Sequence, residues 1–292
     1  MAAPPFASFE GWDSGALAQD EHTFGRNQSH AEWSSPQSSG THYCGILLRG
    51  TGFDQPTMLS QGDVLSYLEM CANFGVNLQR GMNFRLRGNE SLILMSLRRG
   101  APYADRFEEA GRVIIYEGHD IPRTRGGLEP KDLDQPEFLL SGKPTQNGLF
   151  LDAVRRYKLR YKLGRTEAEP VRVFEKIRDG IWTYNGLFRL VDAWQETSDR
   201  RQVFKFKLEI VDHPLLNTTG TVGQIDHDRV IPSAIKLEVW KRDKGSCIKC
   251  GSKENLHFDH IIPYSQGGSS KDARNIQILC SRHNLEKHDN IE

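Results

Sequence analysis

The sequence predicts an α+β protein: a curved β-sheet or barrel with flanking helices, followed by a small metal-stapled ββα unit. Three observations predict it. From about residue 83 to 211, short runs rich in β-branched and aromatic residues alternate with Gly- and Asp-containing turns, and few helical patterns intervene. The chain has 292 residues, about twice the usual length of a single domain. Near its end, Cys247-x-x-Cys250 and Cys280-x-x-His283 form two close pairs of soft ligands.

The elements read as follows. Residues 1–40 are rich in Ser, Gly, Pro, Gln and Asn, with Phe6, Phe9, Trp12, Phe24 and Trp33 scattered without a period, and read as an irregular arm. Regular structure is expected from Tyr43, with a short strand at Gly45–Arg49. Gln61 to Phe74 places Val64, Leu65, Leu68 and Cys71 at helical spacing and stops at Gly75, a residue suited to the left-handed position after a helix. Strands are expected at Asn83–Arg87, Ser91–Leu97 and Arg112–Tyr116, and a helix at Thr145–Tyr157. Val171–Glu175, Ile181–Tyr184, Leu187–Trp194 and Arg201–Val211 are again strands. Residues 41–212 thus make the larger domain. Residues 213–231 show little periodicity and read as a linker. Pro232-Ser233 opens a helix through Trp240, the start of a second domain at 232–292.

Composition narrows the class. Apolar residues are 37% of the chain, enough to bury real cores. Formal net charge is zero, which excludes a general basic coat, so any nucleic-acid surface must come from local clustering. Of five cysteines, three lie in the C-terminal cluster, while Cys44 and Cys71 are isolated and read as small buried apolar residues. That usage suits a reducing compartment and a metal site. No run approaches a membrane span and no secretory leader is evident, so a cytoplasmic location is expected.

The C-terminal cluster interleaves two chemistries. Cys247, Cys250, Cys280 and His283 are the expected ligands of a tetrahedral structural zinc, and a unit of this size needs such a staple. Between and beside them lie Asp259-His260, Gly267-Gly268, Asn275 and Asn284. Phosphodiester hydrolysis needs a base for water and a cation for developing charge. His260 can be the base. Asp259 and Asn284 offer oxygen ligands to magnesium or manganese. Asn275 can hydrogen-bond across the loop and hold the imidazole tautomer. His257 alternates with Asp259 along the strand and is assigned no role.

The segment from about Val239 to Asp289 resembles the HNH endonuclease family, the ββα-metal nucleases. The family pattern runs C-x-x-C, DH-x-x-P, GG, N, LC-x-x-C-H-x-x-K. Here it reads CIKC, DHIIP, GG, Asn275 and LCSRHNLEK. Two positions depart from it: His283 stands for the fourth cysteine and Asn284 for the final histidine. His288, one helical turn beyond Asn284, is a reserve ligand.

Residues 75–212 resemble, more loosely, the SET- and RING-associated (SRA) domain, which reads a modified cytosine by flipping it into a pocket. Ser91-Leu92-Ile93-Leu94, a turn with Tyr103 and Asp105, and a strand ending Tyr116-x-Gly118 follow its order. Pro170-Val171-Arg172-Val173 and the run from Tyr184 to Trp194 come after them. The resemblance implies a fold of SRA type and double-stranded DNA containing modified cytosine as partner. A flipped base needs π-faces and a polar group for its pairing edge. Tyr103 and Tyr116 can be the faces, and Asp105 can accept from the cytosine amino group. Arg155, Arg156, Lys158, Arg160, Lys162 and Arg165 fall in an acid-free stretch suited to phosphates. Arg98, Arg99, Arg123 and Arg125 flank the pocket segments.

Together these readings imply a bacterial modification-dependent restriction endonuclease acting at 5-methylcytosine or 5-hydroxymethylcytosine. One such nuclease unit cuts one strand, so a double-strand break requires a homodimer or two independent nicks. The rivals are an HNH nuclease indifferent to modification, and a non-catalytic reader with a structural zinc module.

Overall fold

The computed structural model describes residues 59–86, 90–123, 127–164, 167–211, 230–288 and 290–291. The expected arm at 1–40, the strand at 45–49, Cys44, Arg125, Arg165 and nearly all of the linker at 213–231 lie outside them.

Among the described residues, strands β1 (Asp63–Ser66), β2 (Met82–Leu86), β3 (Glu90–Met95), β4 (Arg106–Glu108), β5 (Val113–Glu117), β6 (Glu169–Arg178), β7 (Ile181–Ser198), β8 (Arg201–Ile210), β9 (Leu256–His260) and β10 (Ile276–Cys280) join in one sheet. Helices α1 (Tyr67–Phe74), α2 (Gln146–Tyr161), α3 (Ser233–Arg242) and α4 (Ser281–Lys287) flank it. The main path runs β10-β9-β1-β7-β6-β3-β2, and β8, β5 and β4 branch from β7. One edge of β7 therefore serves two neighbours: Thr183 to Ile181 face β1, while Phe188 to Ser198 face β8. β3 and β6 run parallel and the remaining pairs antiparallel. A mixed α+β architecture with a large sheet and few helices agrees with the expectation.

Three expected elements differ. Residues 63–66 form a strand where a helix was expected, because Val64 and Leu65 are buried between β7 and β9 and the ladder outweighs their helical spacing. The helix begins afterwards. Ser66 Oγ accepts from Glu69 N at 3.2 Å, Glu69 Oε2 accepts from Ser66 N at 2.6 Å, and this reciprocal cap restarts the chain as α1. The two strands expected at 181–184 and 187–194 are one strand. Gly186, at φ +111°, absorbs a register shift against Val173 and Phe174, and pairing continues through it.

The large core gathers Met82, Ile93, Ile114, Phe150, Val173, Phe188 and Phe206 between the sheet and α2. A second core under α3 holds Val239, Leu256, Phe258, Ile276 and Ile278, and includes Val64 from β1. No described helix is long and apolar enough to cross a membrane.

Candidate active site and base pocket

The four residues expected to ligate zinc converge. The ligand atoms of Cys247, Cys250, Cys280 and His283 all lie within 4.8 Å of one another. His283 Nδ1 is 3.3 Å from both Cys247 Sγ and Cys280 Sγ, and Cys250 Sγ is 3.8 Å from Cys280 Sγ. Zinc–sulfur bonds of about 2.3 Å in a tetrahedron put two sulfurs roughly 3.8 Å apart, so these four residues fit the ion. Burial pushes the Cys247 thiol up. Backbone amides at Cys280, Cys250 and Lys249 and the His283 ring outweigh it and bring the thiol to about 6, the direction a metal ligand requires.

The residues expected to carry the nuclease chemistry sit on the β9–β10 pair and α4. β9 pairs with β10 in the register Asp259↔Gln277 and His260↔Ile276. Gln277 Nε2 donates to Asp259 Oδ2 at 3.1 Å, and Lys287 Nζ lies 3.1 Å from the same oxygen. Lys287 is buried and also donates to the His260 carbonyl at 2.7 Å. Any ion on Asp259 therefore shares its carboxylate with this ammonium. The His260 ring has Nε2 2.9 Å from the buried Ser270 Oγ. Asn275 instead closes the loop: Oδ1 accepts from Ile262 N at 2.8 Å, and Nδ2 donates to the carbonyls of Ile262 and Ser269 at 3.2 Å. Gly268 is required beside it, because a Cβ there would meet the Ile262 carbonyl oxygen at 1.8 Å.

Asp259 and His260 line a cavity of about 230 Å³ that also includes His257 and Tyr264. Asn284, on α4, lines an adjoining cavity with Asp63 and Ser281, and His257 borders both. His257 is not solvent-facing: its Nδ1 lies 2.8 Å from Asp63 Oδ1, and its side chain is 14% exposed. His288 is an exposed residue at the end of α4. Asp259 and Asn284 each offer an oxygen donor of the kind that suits a hard divalent ion, and they line different cavities.

The large domain holds a cavity of about 580 Å³, within the range of small-molecule sites, lined by Tyr103, Asp105, Tyr116, Leu94, Ser96 and His119 among others. The three residues expected to form a base pocket thus share one concavity. Asp105 is fixed by backbone donors: Glu117 N at 3.0 Å to Oδ1 and Ser96 N at 3.4 Å to Oδ2. Burial outweighs these bonds and raises its carboxyl to about 7. Beneath it, Glu117 accepts from Ala104 N at 3.1 Å and from the buried Lys205 Nζ at 2.9 Å, which ties the Asp105 turn to β5 and β8.

Sequence reasoning missed His119. Its ring stacks on Tyr103 with centroids 5.4 Å apart and planes at 16°, and its Nε2 lies 3.0 Å from the Tyr116 hydroxyl. Asn147 Oδ1 accepts from His119 N, and Asn147 Nδ2 donates to His119 O, both at 2.8 Å. Burial lowers the imidazole to about 4, so it is neutral at physiological pH. Gly81 makes room for it, since a Cβ there would meet both His119 Nε2 and the Tyr116 hydroxyl at 2.8 Å. The only sequence signal was its place directly after Tyr116-x-Gly118. Tyr116 is fully buried, with its hydroxyl also 3.4 Å from the Leu94 carbonyl. Lys131 Nζ sits 4.1 Å from the Tyr103 ring centre.

The basic run lies on α2 and just past its end. Arg155 pairs with Glu137, Arg156 with Asp152 and Lys158 with Asp192, so three of its charges are already matched. Among the described residues, Arg160 and Lys162 have no such acidic partner.

Comparison with known proteins agrees with the C-terminal geometry. Residues 247–290 match the HNH endonuclease family. The chain carries a nuclease domain of that family and is an endonuclease. No curated protein matches it. Among solved structures, the SUVH5 SRA domain in complex with hemi-methylated CG DNA is 22% identical over 53% of this chain and 91% of that one, with a TM-score of 0.38. The modification-dependent TagI restriction endonuclease is 21% identical over 80% of this chain and 78% of that one, with a TM-score of 0.35.

Proposed function

We propose that this chain is a modification-dependent DNA endonuclease. Its large domain takes a flipped 5-methylcytosine or 5-hydroxymethylcytosine, and its HNH domain hydrolyses a nearby phosphodiester. The observation that carries the reading is the cavity in which Tyr103, Asp105, Tyr116 and His119 meet, in a chain that also holds Asp259-His260. Aromatic rings and one carboxylate are what an extruded cytosine needs. Each oxygen of Asp105 retains a lone pair beyond its backbone donor and can accept from the cytosine amino group. The Tyr103–His119 stack is too close to admit a base as it stands. Insertion needs about 7 Å between rings, twice a normal contact, so the base either parts the pair or takes the place of one ring.

At the HNH site, His260 takes the proton of the attacking water. Asp259 and Asn284 would hold a divalent ion, magnesium or manganese, which supplies charge stabilisation at the phosphate when bound. Zinc on Cys247, Cys250, Cys280 and His283 would hold the scaffold. The partner is double-stranded DNA, and a double-strand break takes a homodimer or two nicks.

Matched duplexes with and without modified cytosine test the reading. Cleavage confined to the modified duplex supports it, whereas equal cleavage of both rejects it in favour of an unselective nuclease. His260→Ala is expected to lower the rate by roughly 100- to 10,000-fold while binding persists. Unchanged cleavage would remove His260 from the mechanism.

A further inference from the structure

Reader and nuclease are joined by more than the chain between them. Nuclease strand β9 is hydrogen-bonded to β1 in the register Asp63↔His257 and Val64↔Leu256, and Phe258 N donates to the Gly62 carbonyl at 3.0 Å. Along its other edge β1 pairs with β7, a central strand of the large domain, through Val64↔Thr183, Leu65↔Trp182 and Ser66↔Ile181. One sheet therefore crosses the boundary without a break. Side chains cross it too. Asp63 Oδ1 holds His257 Nδ1 at 2.8 Å, two residues before Asp259. Val64 is built into the nuclease core, and Ile181 packs against it.

The strongest link is polar and buried. Lys236 of α3 is 2% exposed, and its Nζ reaches Glu175 Oε2 at 2.8 Å and Asn185 Oδ1 at 2.5 Å. Asn185 Nδ2 completes the triangle by donating to Glu175 Oε2 at 3.0 Å. Sliding one domain on the other would strand a buried ammonium and a buried carboxylate, which opposes intermediate positions.

A tether alone would not fix the spacing. Two bodies held only by a random-coil tether vary in separation by about 5–6 Å times the square root of the tether's length in residues, a spread of several base pairs of duplex for any tether of more than about ten residues. We infer that the β1 seam and the Lys236–Glu175–Asn185 contact, not the connecting chain, set the distance from base pocket to His260, so that the enzyme cuts at one fixed offset from the base it reads. The inference rests on the modified-base reading of the pocket.

End-labelled duplexes carrying one 5-methylcytosine, digested by the full-length protein, test it by the positions of the nicks. The expected result is one dominant position per strand, spread over about one or two base pairs. Inserting about twelve Gly and Ser residues after Thr218 should leave those positions unchanged. Lys236→Met combined with Glu175→Gln, which removes both charges, should spread them over several base pairs. The inference is overturned if wild-type nicks scatter, if the insertion moves or spreads them, or if a folded double variant keeps the wild-type pattern. Should that double variant fail to fold, the insertion alone decides. Cleavage equal on unmodified duplex overturns the base reading, and the offset with it. Modification-dependent but scattered cleavage overturns the offset only.

Discussion

Nε2 of His119 lies 3.0 Å from the Tyr116 hydroxyl, while the same imidazole stacks on Tyr103. The two tyrosines, which the chain places thirteen residues apart, are thereby made one unit by a third ring. Removing that ring tests its part in binding. Stacking on a base is worth about 1–3 kcal/mol, so His119→Ala should weaken binding to a 5-methylcytosine duplex by roughly 5- to 150-fold. Fluorescence anisotropy on modified and unmodified duplexes measures it. Equal losses on both would show that His119 only supports the fold.

Asp105 gives the pocket a pH dependence. As an acceptor it acts ionised, and its carboxyl sits at about 7 because burial disfavours the charge. Affinity for the modified base should therefore fall as pH drops through 7, and Asp105→Asn should flatten the profile. Stability runs the other way. A folded value raised above the unfolded one contributes stability that is full below about pH 4 and lost as pH rises towards 7 and above. Chemical denaturation at pH 5 and pH 8 should show wild type losing stability relative to Asp105→Asn at the higher pH. A difference that does not change with pH would refute the assignment.

The cysteine cluster predicts about one zinc per chain by elemental analysis, and none after Cys247→Ala. His283→Cys should keep the ion, since it restores four thiolates. Chelation should lower the melting temperature of the whole described body rather than a separate C-terminal transition, because Val64 is shared with the nuclease core. Two well-separated transitions would contradict this.

Charge on α2 should divide by pairing. Arg160→Gln and Lys162→Gln should each reduce the salt slope of DNA binding by about one if they meet phosphate. Arg155→Gln, Arg156→Gln and Lys158→Gln should act less, because Glu137, Asp152 and Asp192 already neutralise those charges. Binding measured across a salt series decides, and equal effects at all five would refute the division.

Lys236→Ala leaves Glu175 buried and uncompensated. It should destabilise the protein by about 3–5 kcal/mol, and Lys236→Ala with Glu175→Gln should recover part of that loss. Denaturant titration provides the comparison, and strictly additive losses would show that the pair is not coupled.

The parts of the site legible in the sequence are those whose chemistry restricts residue type at short spacing. Two Cys/His pairs, Asp259-His260 and Gly267-Gly268 could be read because a metal, a base and a tight loop each admit few residues. Asp105 and Tyr116 stand out in the sequence through the resemblance of their segments to the SRA pattern. What stayed hidden depends on partners far along the chain. Lys236 falls on a helix beside Val239 and Trp240, and its acceptors lie 51 and 61 residues away. Lys287 reads as an exposed charge until α4 folds over Asp259. Val64 and Leu65 continue the helical period of α1, and only the Ser66–Glu69 pairing marks the helix start. Local periodicity could not show that β7 and β9 compete for the same four residues.

The position of β1 also bears on recombination. A chimera cut between residues 211 and 230 would respect the order of the chain, yet leave the transplanted hairpin without the strand that completes its sheet and part of its hydrophobic filling. Residues 61–66 belong to the nuclease hairpin in space although the rest of the large domain follows them in sequence. An exchange of large domains would have to carry that segment with the nuclease hairpin, together with partners for Ile181, Glu175 and Asn185.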